Sequence, residues 1–148
     1  MELPYENFDQ WWDANLWKYS VVFSDVPETL KLLKEHYLIG CVTNGVSFGQ
    51  RKKLETAGID SLFDTIVVSE EAGKNKPDPA VFLKACKELN VKPEEVMFVG
   101  DSFEKDIMGA YNLKMLPVWI WPDDHRQCRV NILQIHKISE LLEILKLQ

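Results

Sequence analysis

Short apolar runs alternate with amphipathic stretches along most of this chain. Four runs lack polar alternation, at residues 38–42, 65–68, 96–99 and 117–121, which is typical of strands covered on both faces in a parallel sheet. Amphipathic stretches near residues 47–57, 79–89 and 104–112 predict helices between these strands, and residues 135–147 predict a closing helix. The alternation predicts an α/β fold with a parallel sheet, right-handed crossovers and helices on both faces.

The first part of the chain follows a different pattern. Residues 1–19 are rich in aromatic side chains, and residues 20–23 form a short strand-like run. Asp25 and Pro27 then give the signals of a helix entry, with proline in the first turn. We therefore divide the chain into residues 1–24, which lead into the sheet, and residues 25–148, which form one α/β domain.

Composition and charge narrow the classes of partner. The 148 residues include 17 basic and 23 acidic side chains, for a net charge of −6. Without a basic stripe to meet a phosphate backbone, nucleic acid is not an expected partner. No apolar run approaches the roughly 18 residues that span a bilayer, so a membrane is not expected either. Cys41, Cys86 and Cys128 are widely spaced and form no CxxC pair, which favours a reducing, cytoplasmic location.

The first polar cluster follows the strand predicted at residues 38–42, where ligands bind in sheets of this kind. Thr43, Asn44 and Gly45 provide a hydroxyl, an amide and a flexible turn just before a helix, which suits a neutral cradle for phosphoryl oxygens. The same three residues also suit an ordinary turn and helix cap, and on their own they do not decide between the two.

The second cluster is centred on Lys76. An isolated loop lysine is normally a solvated surface charge, but Pro77 and Pro79 restrict the backbone beside it and fix where Lys76 points. A rigidly held lysine can neutralise charge in a transition state.

The third cluster, Gly100-Asp101-Ser102, directly follows a predicted strand, and Asp106 lies in the next helical turn. Glycine lets the backbone approach a ligand, and two carboxylates five residues apart can converge on a hard cation. Mg²⁺ typically takes one or two carboxylates together with water and phosphate oxygens. The alternative is that Asp101 and Asp106 only complement the dipole of the helix that they begin.

In this order, each at a strand end, the three clusters resemble motifs two to four of the haloacid dehalogenase superfamily of phosphohydrolases. The strings Lys-Pro-Asp-Pro-x-x-Phe and Gly-Asp-Ser-x-x-x-Asp are the most specific part of this resemblance. The resemblance implies a Rossmann-like α/β fold and a Mg²⁺-dependent phosphatase of a small phosphorylated metabolite.

It also implies a role for each matching residue. Thr43, Asn44 and Gly45 would bind the transferring phosphoryl group together with Lys76. Asp101 and Asp106 would hold Mg²⁺, and Ser102 would support those ligands.

The chain departs from the family at its front. The family begins with a central strand that ends in Asp-x-Asp and carries the nucleophile, but no such string occurs here. Residues 1–24 resemble the end of the helical cap that follows that strand, so the chain resembles a family member without its N-terminal part. We expect a slot in the middle of the sheet, little or no turnover, and self-association or strand exchange through the slot. Residues 20–23 or a second chain could fill it.

The sequence also allows other interpretations of its function. The chain could be a non-catalytic protein that binds phosphate or metal, or a dehalogenase of the same superfamily, although the Asp101 and Asp106 pair favours a metal-dependent reaction. A receiver-type signalling domain shares this type of sheet, but its chain order fits poorly.

Overall fold

The structure is a computed structural model that describes residues 8–122 and 131–147. Its α-helices are α1 (Phe8–Asn15), α2 (Val26–Lys34), α3 (Ser47–Thr56), α4 (Ser69–Ala72), α5 (Pro79–Leu89), α6 (Met108–Asn112) and α7 (Glu140–Ile144). Its strands are β1 (Gly40–Thr43), β2 (Thr65–Val68), β3 (Met97–Gly100), β4 (Leu116–Ile120) and β5 (Leu133–Ile135). From α2 to β4, helices lie between all successive strands, which confirms the predicted α/β fold.

All strand pairs are parallel. β1 pairs with β2, with Gly40 opposite Thr65, whereas β3, β4 and β5 form a separate sheet in that order. Met97 lies opposite Leu116 in the second sheet. The carboxyl ends of β1 and β3 therefore hold the first and third polar clusters.

Helices cover the sheet on both sides and complete two main clusters of buried side chains. Val67, Val81 and Phe82 belong to the cluster around α5, and Val118 and Ile135 to the cluster formed by β4, β5 and α7. Burying each such side chain stabilises the fold by roughly 1.5 to 3 kcal/mol. These clusters fix the positions of β1 and β3, on which the site depends.

The predicted slot is a feature of the fold. β1 and β3 do not pair with each other, and an apolar cavity of about 1240 Å³ extends between them. Both strands that border this cavity are only partly buried, whereas most residues of the strands they pair with, β2 and β4, are buried. We call this cavity the central slot. It is lined on one side by Gly40 to Val42 and on the other by Met97 to Gly100.

One sequence prediction of local structure is wrong, and two differ from the structure in detail. Residues 20–23 form no strand and do not fill the central slot, because Val21 is 92% exposed and Phe23 packs against the Trp121 ring instead. The predicted closing helix at residues 135–147 is shorter than expected: only Glu140–Ile144 is α-helical, as α7, and the strand β5 precedes it. The helix predicted near residues 104–112 begins with a π-helical turn at Phe103–Ile107.

In the part of the chain that the structure describes, no helix is both long and apolar enough to cross a membrane. Residues 8–19, which the sequence suggested to be the end of a cap, form α1 and a 3₁₀ turn at Leu16–Tyr19. Cys128 and the residues around it lie outside the described ranges.

Candidate functional site

Lys76 joins the carboxyl ends of β1 and β3. Its Nζ donates to the Val42 carbonyl oxygen at 2.9 Å and lies 2.6 Å from Asp106 Oδ1. The Lys76 side chain is 12% exposed and that of Asp106 is 4% exposed, so this is a buried ion pair. The ammonium also lies 5.7 Å from the centre of the Phe98 ring. Two of the predicted clusters are therefore in direct contact.

Asn44 holds the backbone of the lysine loop. Its Oδ1 accepts from Lys76 N at 2.8 Å, and its Nδ2 donates to the Lys76 carbonyl oxygen at 3.2 Å. Because both ends of the amide are engaged, the Asn44 side chain positions Lys76 from across the site. The Lys76–Pro77 peptide bond, next to this clamp, is cis.

The rest of the first cluster forms contacts within the protein. The Thr43 hydroxyl lies 3.0 Å from Gln50 Oε1, and Gly45 N donates to Ser69 Oγ at 2.9 Å. At the start of α3, Ser47 N donates to a carboxylate oxygen of Glu70. Because these polar groups already bond within the protein, fewer of them are left to bind a phosphoryl oxygen than the sequence suggests.

Gly45 allows the chain to turn into this cluster. Its φ angle is +142°, in the range that L side chains rarely adopt, and a Cβ at this position would lie 2.7 Å from Gln50 Nε2. Only glycine therefore fits here without strain or movement of Gln50.

Asp106 is buried at the end of β3 by a close backbone approach. Its Oδ2 accepts from Ser102 N at 3.0 Å, while Oδ1 contacts the Lys76 ammonium without a hydrogen bond of good geometry. A Cβ on Gly100 would lie 2.3 Å from Asp106 Cβ, so glycine is required for this carboxylate to fold against the strand. The Ser102 hydroxyl accepts from Lys105 N and caps the turn. Ser102 thus holds Asp106 through its backbone amide.

Asp101 follows β3 directly and is exposed. Its carbonyl oxygen accepts from the Trp119 indole Nε1 at 3.0 Å, which ties the loop to the neighbouring strand β4. The residue lies at the end of the central slot, where its carboxylate is accessible to solvent and to a cation.

The donor set partly fits a magnesium ion. Mg²⁺ requires about six oxygen ligands, of which protein carboxylates usually supply one or two. Asp101 offers an exposed carboxylate, and Asp106 offers an oxygen, Oδ1, that lacks a hydrogen-bond donor. Among residues 8–122 and 131–147, however, no three histidine, cysteine or acidic side chains are grouped so as to hold a metal. Most ligands would come from water, phosphate or another carboxylate.

Several residues that build this site have no motif signal in a single sequence. Gln50, Ser69 and Trp119 contact the clusters, but each lies on another element of the fold. The ion pair of Arg51 with Glu71 also braces α3 against α4, with Nε 2.8 Å from Oε1. Hydrogen bonds from the Arg51 guanidinium and from Ser47 lower the pKa of the Glu71 carboxyl to about 2.

A second cavity, of about 620 Å³, lies beside the first cluster. It is bordered by Leu16 of the 3₁₀ turn, by Gly45 and Gln50, and by Lys53 and Lys74. It opens beside Gly45 of the first cluster and is large enough for a small metabolite. Cys41 lines the central slot rather than this second cavity, and burial raises the pKa of its thiol.

Phosphatases are among the curated relatives of this chain. It is 35% identical over 122 residues to the glyceraldehyde 3-phosphate phosphatase of Pyrococcus furiosus, covering 79% of this chain and 51% of that protein. It is 30% identical over 134 residues to the mouse N-acylneuraminate-9-phosphatase, covering 90% of this chain and 54% of that protein. The chain thus spans about half the length of these curated relatives.

Solved structures and a family model agree with this relationship. The putative hydrolase YfnB from Bacillus subtilis, solved bound to magnesium, superposes with a TM-score of 0.86 at 27% identity, over 93% of this chain and 61% of that one. The family model described as haloacid dehalogenase-like hydrolase matches residues 4–120. From the match to this model and the identity to these phosphatases, we conclude that the chain belongs to the haloacid dehalogenase-like hydrolase family.

Proposed function

We propose that this chain carries the phosphate-holding and metal-holding side of a phosphatase site for a small phosphorylated metabolite in the cytoplasm. The observation that carries this proposal is the buried contact of Lys76 with Asp106 at the carboxyl ends of β1 and β3. A lysine held at that position can neutralise a phosphoryl oxygen. Thr43 and Asp101 lie at the carboxyl ends of the same two strands, β1 and β3.

In this proposal each residue has a defined task. Lys76 binds a phosphoryl oxygen, Asn44 holds the lysine loop, and Thr43 orients the phosphoryl group. Asp101 and Asp106 would hold Mg²⁺, which supplies charge neutralisation between the carboxylates and the phosphate when bound. Ser102 keeps Asp106 in place.

The chain is expected to show little or no turnover on its own. A nucleophilic carboxylate splits phosphoryl transfer into two easier steps. Asp101 and Asp106 are assigned to the metal, and Asp25, which precedes α2, accepts a hydrogen bond from Ser139 N on a different segment. None of these three carboxylates is therefore left for attack, and binding of phosphate or metal without hydrolysis is the second candidate function. The central slot would also favour self-association of this chain.

The test is hydrolysis of a generic aryl phosphate with and without Mg²⁺, by this chain and by a version extended with an Asp-x-Asp strand and cap. We expect turnover from the extended version only, with loss of activity in its Asp101→Ala variant. A variant at an exposed position of α5, Leu83→Ala, is the matched control and should retain activity. Hydrolysis by the 148-residue chain itself would contradict the predicted inactivity, and an extended version that does not turn over would contradict the phosphatase proposal.

A further inference from the structure

The second cavity, of about 620 Å³, is lined by the immediate neighbours of two site residues. Gly45 and Asn75 are among its lining residues. Gly45 follows Asn44 in the chain, and Asn75 precedes Lys76. Because consecutive Cα atoms are only about 3.8 Å apart, the cavity begins one residue away from the contact of Asn44 with Lys76. A molecule whose phosphate lies at Lys76 is therefore able to extend into this cavity.

Glycines leave room for a ligand in this cavity. Gly45, Gly49 and Gly73 are three of its lining residues. Gly49 is buried in α3, one helical turn before Lys53, and has no side chain to occupy the space beside that lysine. A Cβ at Gly73 would meet no atom within 4 Å, so the space in front of it is open. The volume of about 620 Å³ falls in the ordinary range of small-molecule sites.

Lys53 leans toward the site end of the cavity. It lines the cavity together with Gly49 and Gln50, which lie about one turn closer to the start of α3. Helix residues at positions i, i+3 and i+4 share a face, and their side chains tilt toward the helix N-terminus. Since α3 begins directly after Gly45 and Val46, the Lys53 side chain leans toward the first cluster.

Two ammonium groups on this cavity have no partner within the protein. Lys53 and Lys74 both line it, and neither side chain forms a hydrogen bond or an ion pair with a residue that the structure describes. Lys53 is half-buried, so its ammonium loses part of its hydration without an ion pair in return. Glu70, the acidic side chain among the described lining residues, accepts from Ser47 N at 2.7 Å. The described lining therefore has two positive charges and one negative charge, a net charge of +1.

A carboxylate is the group that fits this lining best. It carries one negative charge, which matches the net charge of the lining, and it offers two oxygens as acceptors for the two ammonium groups. Two amides beside the lysines also have free donors, because Gln50 Nε2 and the Asn75 side chain form no hydrogen bond with the described residues. Such amides bind hydroxyl groups. The fitting ligand therefore carries hydroxyl groups as well as a carboxylate.

We propose that this cavity binds the carboxylate of a phosphorylated hydroxy acid through Lys53 and Lys74, while the phosphate of the same molecule lies at Lys76. Hydroxyl groups between the two ends bind to Gln50 and Asn75. The proposal names the substrate class of the phosphatase site and to that extent rests on the proposed function. The affinity of the cavity for a carboxylate does not depend on hydrolysis.

The test compares two ligands that differ at one end only. Both 6-phosphogluconate and sorbitol 6-phosphate carry a phosphate and four secondary hydroxyl groups, but the far end is a carboxylate in the first and a CH2OH group in the second. Isothermal titration calorimetry of the 148-residue chain in Mg²⁺ gives the Kd of each. We expect the acid to bind about tenfold more tightly, because hydrogen bonds between charged groups are stronger than those between neutral groups.

Variants of neighbouring lysines locate the carboxylate. Lys53→Gln should bring the two Kd values within about twofold of each other, because it removes the charge that distinguishes the acid from the alcohol. Lys52→Gln is the matched control. Lys52 precedes Lys53 in α3, but its ammonium pairs with Glu55 at 2.6 Å and does not line the cavity, so the ratio of the two Kd values should stay unchanged. Lys74→Gln should also lower the ratio.

The version extended with an Asp-x-Asp strand and cap provides a second measurement. Its KM for the acid should be about tenfold lower than its KM for the alcohol, with similar kcat values, because the carboxylate lies away from the reacting phosphate and contributes to binding only. Lys53→Gln should remove this difference in KM, and Lys52→Gln should preserve it.

The possible outcomes separate this proposal from the proposed function. Equal affinity for the acid and the alcohol, or a preference for the acid that survives in Lys53→Gln, would overturn the proposal and leave the phosphatase function intact. Tighter binding of sorbitol 1,6-bisphosphate than of the acid would also overturn it, since the cavity would then be a site for a second phosphate. Inorganic phosphate should displace sorbitol 6-phosphate. If the acid binds in a Lys53-dependent way but phosphate displaces neither ligand, the carboxylate site is supported and the phosphate position at Lys76, on which the function depends, is refuted.

Discussion

At the scale of single residues, the site is held by contacts that the motifs do not specify. Lys76 is fixed from three directions: its backbone by Asn44, and its ammonium by Val42 O and by Asp106. Each of these contacts crosses at least 30 residues of sequence. The precision of the site therefore comes from the tertiary fold, and single substitutions in it affect both stability and binding.

Asn44→Ala tests the clamp on the lysine loop. The substitution leaves Lys76 N and its carbonyl oxygen without partners, so we expect a loss of about 1–3 kcal/mol in the free energy of unfolding. Urea denaturation followed by circular dichroism measures it. Asn75→Ala, at an exposed position of the same loop, is the matched control and should change stability by less than about 0.5 kcal/mol. Equal losses in the two variants would show that Asn44 does not hold the loop.

Lys76→Met tests the buried ion pair. Removing the ammonium leaves the Asp106 carboxylate buried without a counter-charge, which typically costs about 3–5 kcal/mol. The double variant Lys76→Met with Asp106→Asn has no isolated charge, and we expect it to be more stable than Lys76→Met alone. A double-mutant cycle from urea denaturation gives the coupling energy, expected to be about 1–3 kcal/mol. Additive losses would contradict a direct interaction.

Glu71 predicts a dependence of stability on pH. Its pKa is lowered from 4.5 to about 2 in the folded chain by hydrogen bonds from Arg51 and Ser47. The stabilisation is therefore complete above the unfolded value of 4.5 and is lost as the pH falls toward 2. Because the pair is partly exposed, we expect Glu71→Gln to cost only on the order of 0.5–1 kcal/mol at pH 7.

The measurement compares thermal unfolding of wild type and Glu71→Gln at pH 7 and pH 3, where the difference should shrink. Glu28→Gln is the control, because Glu28 forms only an exposed 3.9 Å contact with Lys31. A difference between wild type and Glu71→Gln that stays constant with pH would exclude the assigned role of Arg51.

At the scale of elements, the turn after β3 depends on Gly100. A Cβ there would lie 2.3 Å from Asp106 Cβ and 2.5 Å from its Cγ, so Gly100→Ala must displace Asp106 or the π-helical turn that carries it. We expect a loss of about 1–3 kcal/mol in stability from this overpacking. Gly40→Ala in β1 is the matched control. Its Cβ would meet side-chain atoms at 3.2 and 3.3 Å, and the cost should be smaller.

The free energy of unfolding from urea denaturation of both alanine variants is the measurement. If Gly100→Ala proved as stable as Gly40→Ala, the close approach of Asp106 to the strand would not contribute to the fold.

The sequence predicted the buried strands well because their apolar runs are set by burial on both faces. The bounds of β2, Thr65–Val68, match the predicted bounds, and those of β1, β3 and β4 lie within two residues of the predicted ones. Residues 20–23 have the composition of a strand, but a strand needs a partner, and none of the described segments pairs with them. β5 has three residues, too few for a period to be read, and its strand conformation comes from pairing with β4.

The candidate site residues can be proposed from the sequence, but the hydrogen bonds that hold them cannot. The motif spacing predicts Thr43, Lys76, Asp101 and Asp106 as site residues, and the structure brings Lys76 and Asp106 into contact. Nothing in a single sequence indicates that Asn44 would be engaged by the lysine backbone, because that contact depends on how the loop lies across β1.

At the scale of the whole molecule, the sheet is divided by the central slot. An apolar strand of about five residues could contribute on the order of 10 kcal/mol before entropy, since each buried side chain contributes roughly 1.5–3 kcal/mol. This is comparable with the roughly 5–15 kcal/mol that stabilises an entire domain. We therefore expect a marginally stable chain whose stability increases when the slot is filled.

Hydrogen exchange tests this division of the sheet along β1 and β3. The amides of Val42 and Val99 face the slot and should exchange fast, whereas those of Cys41 and Phe98 face paired strands and should be protected. Alternating protection in a dilute monomer, measured by NMR, is the expected result, with β4 protected throughout as the internal control. Protection of Val42 and Val99 that rises with protein concentration would indicate self-association through the slot. Uniform protection of both strands in the monomer would mean that the two halves of the sheet close on each other in solution.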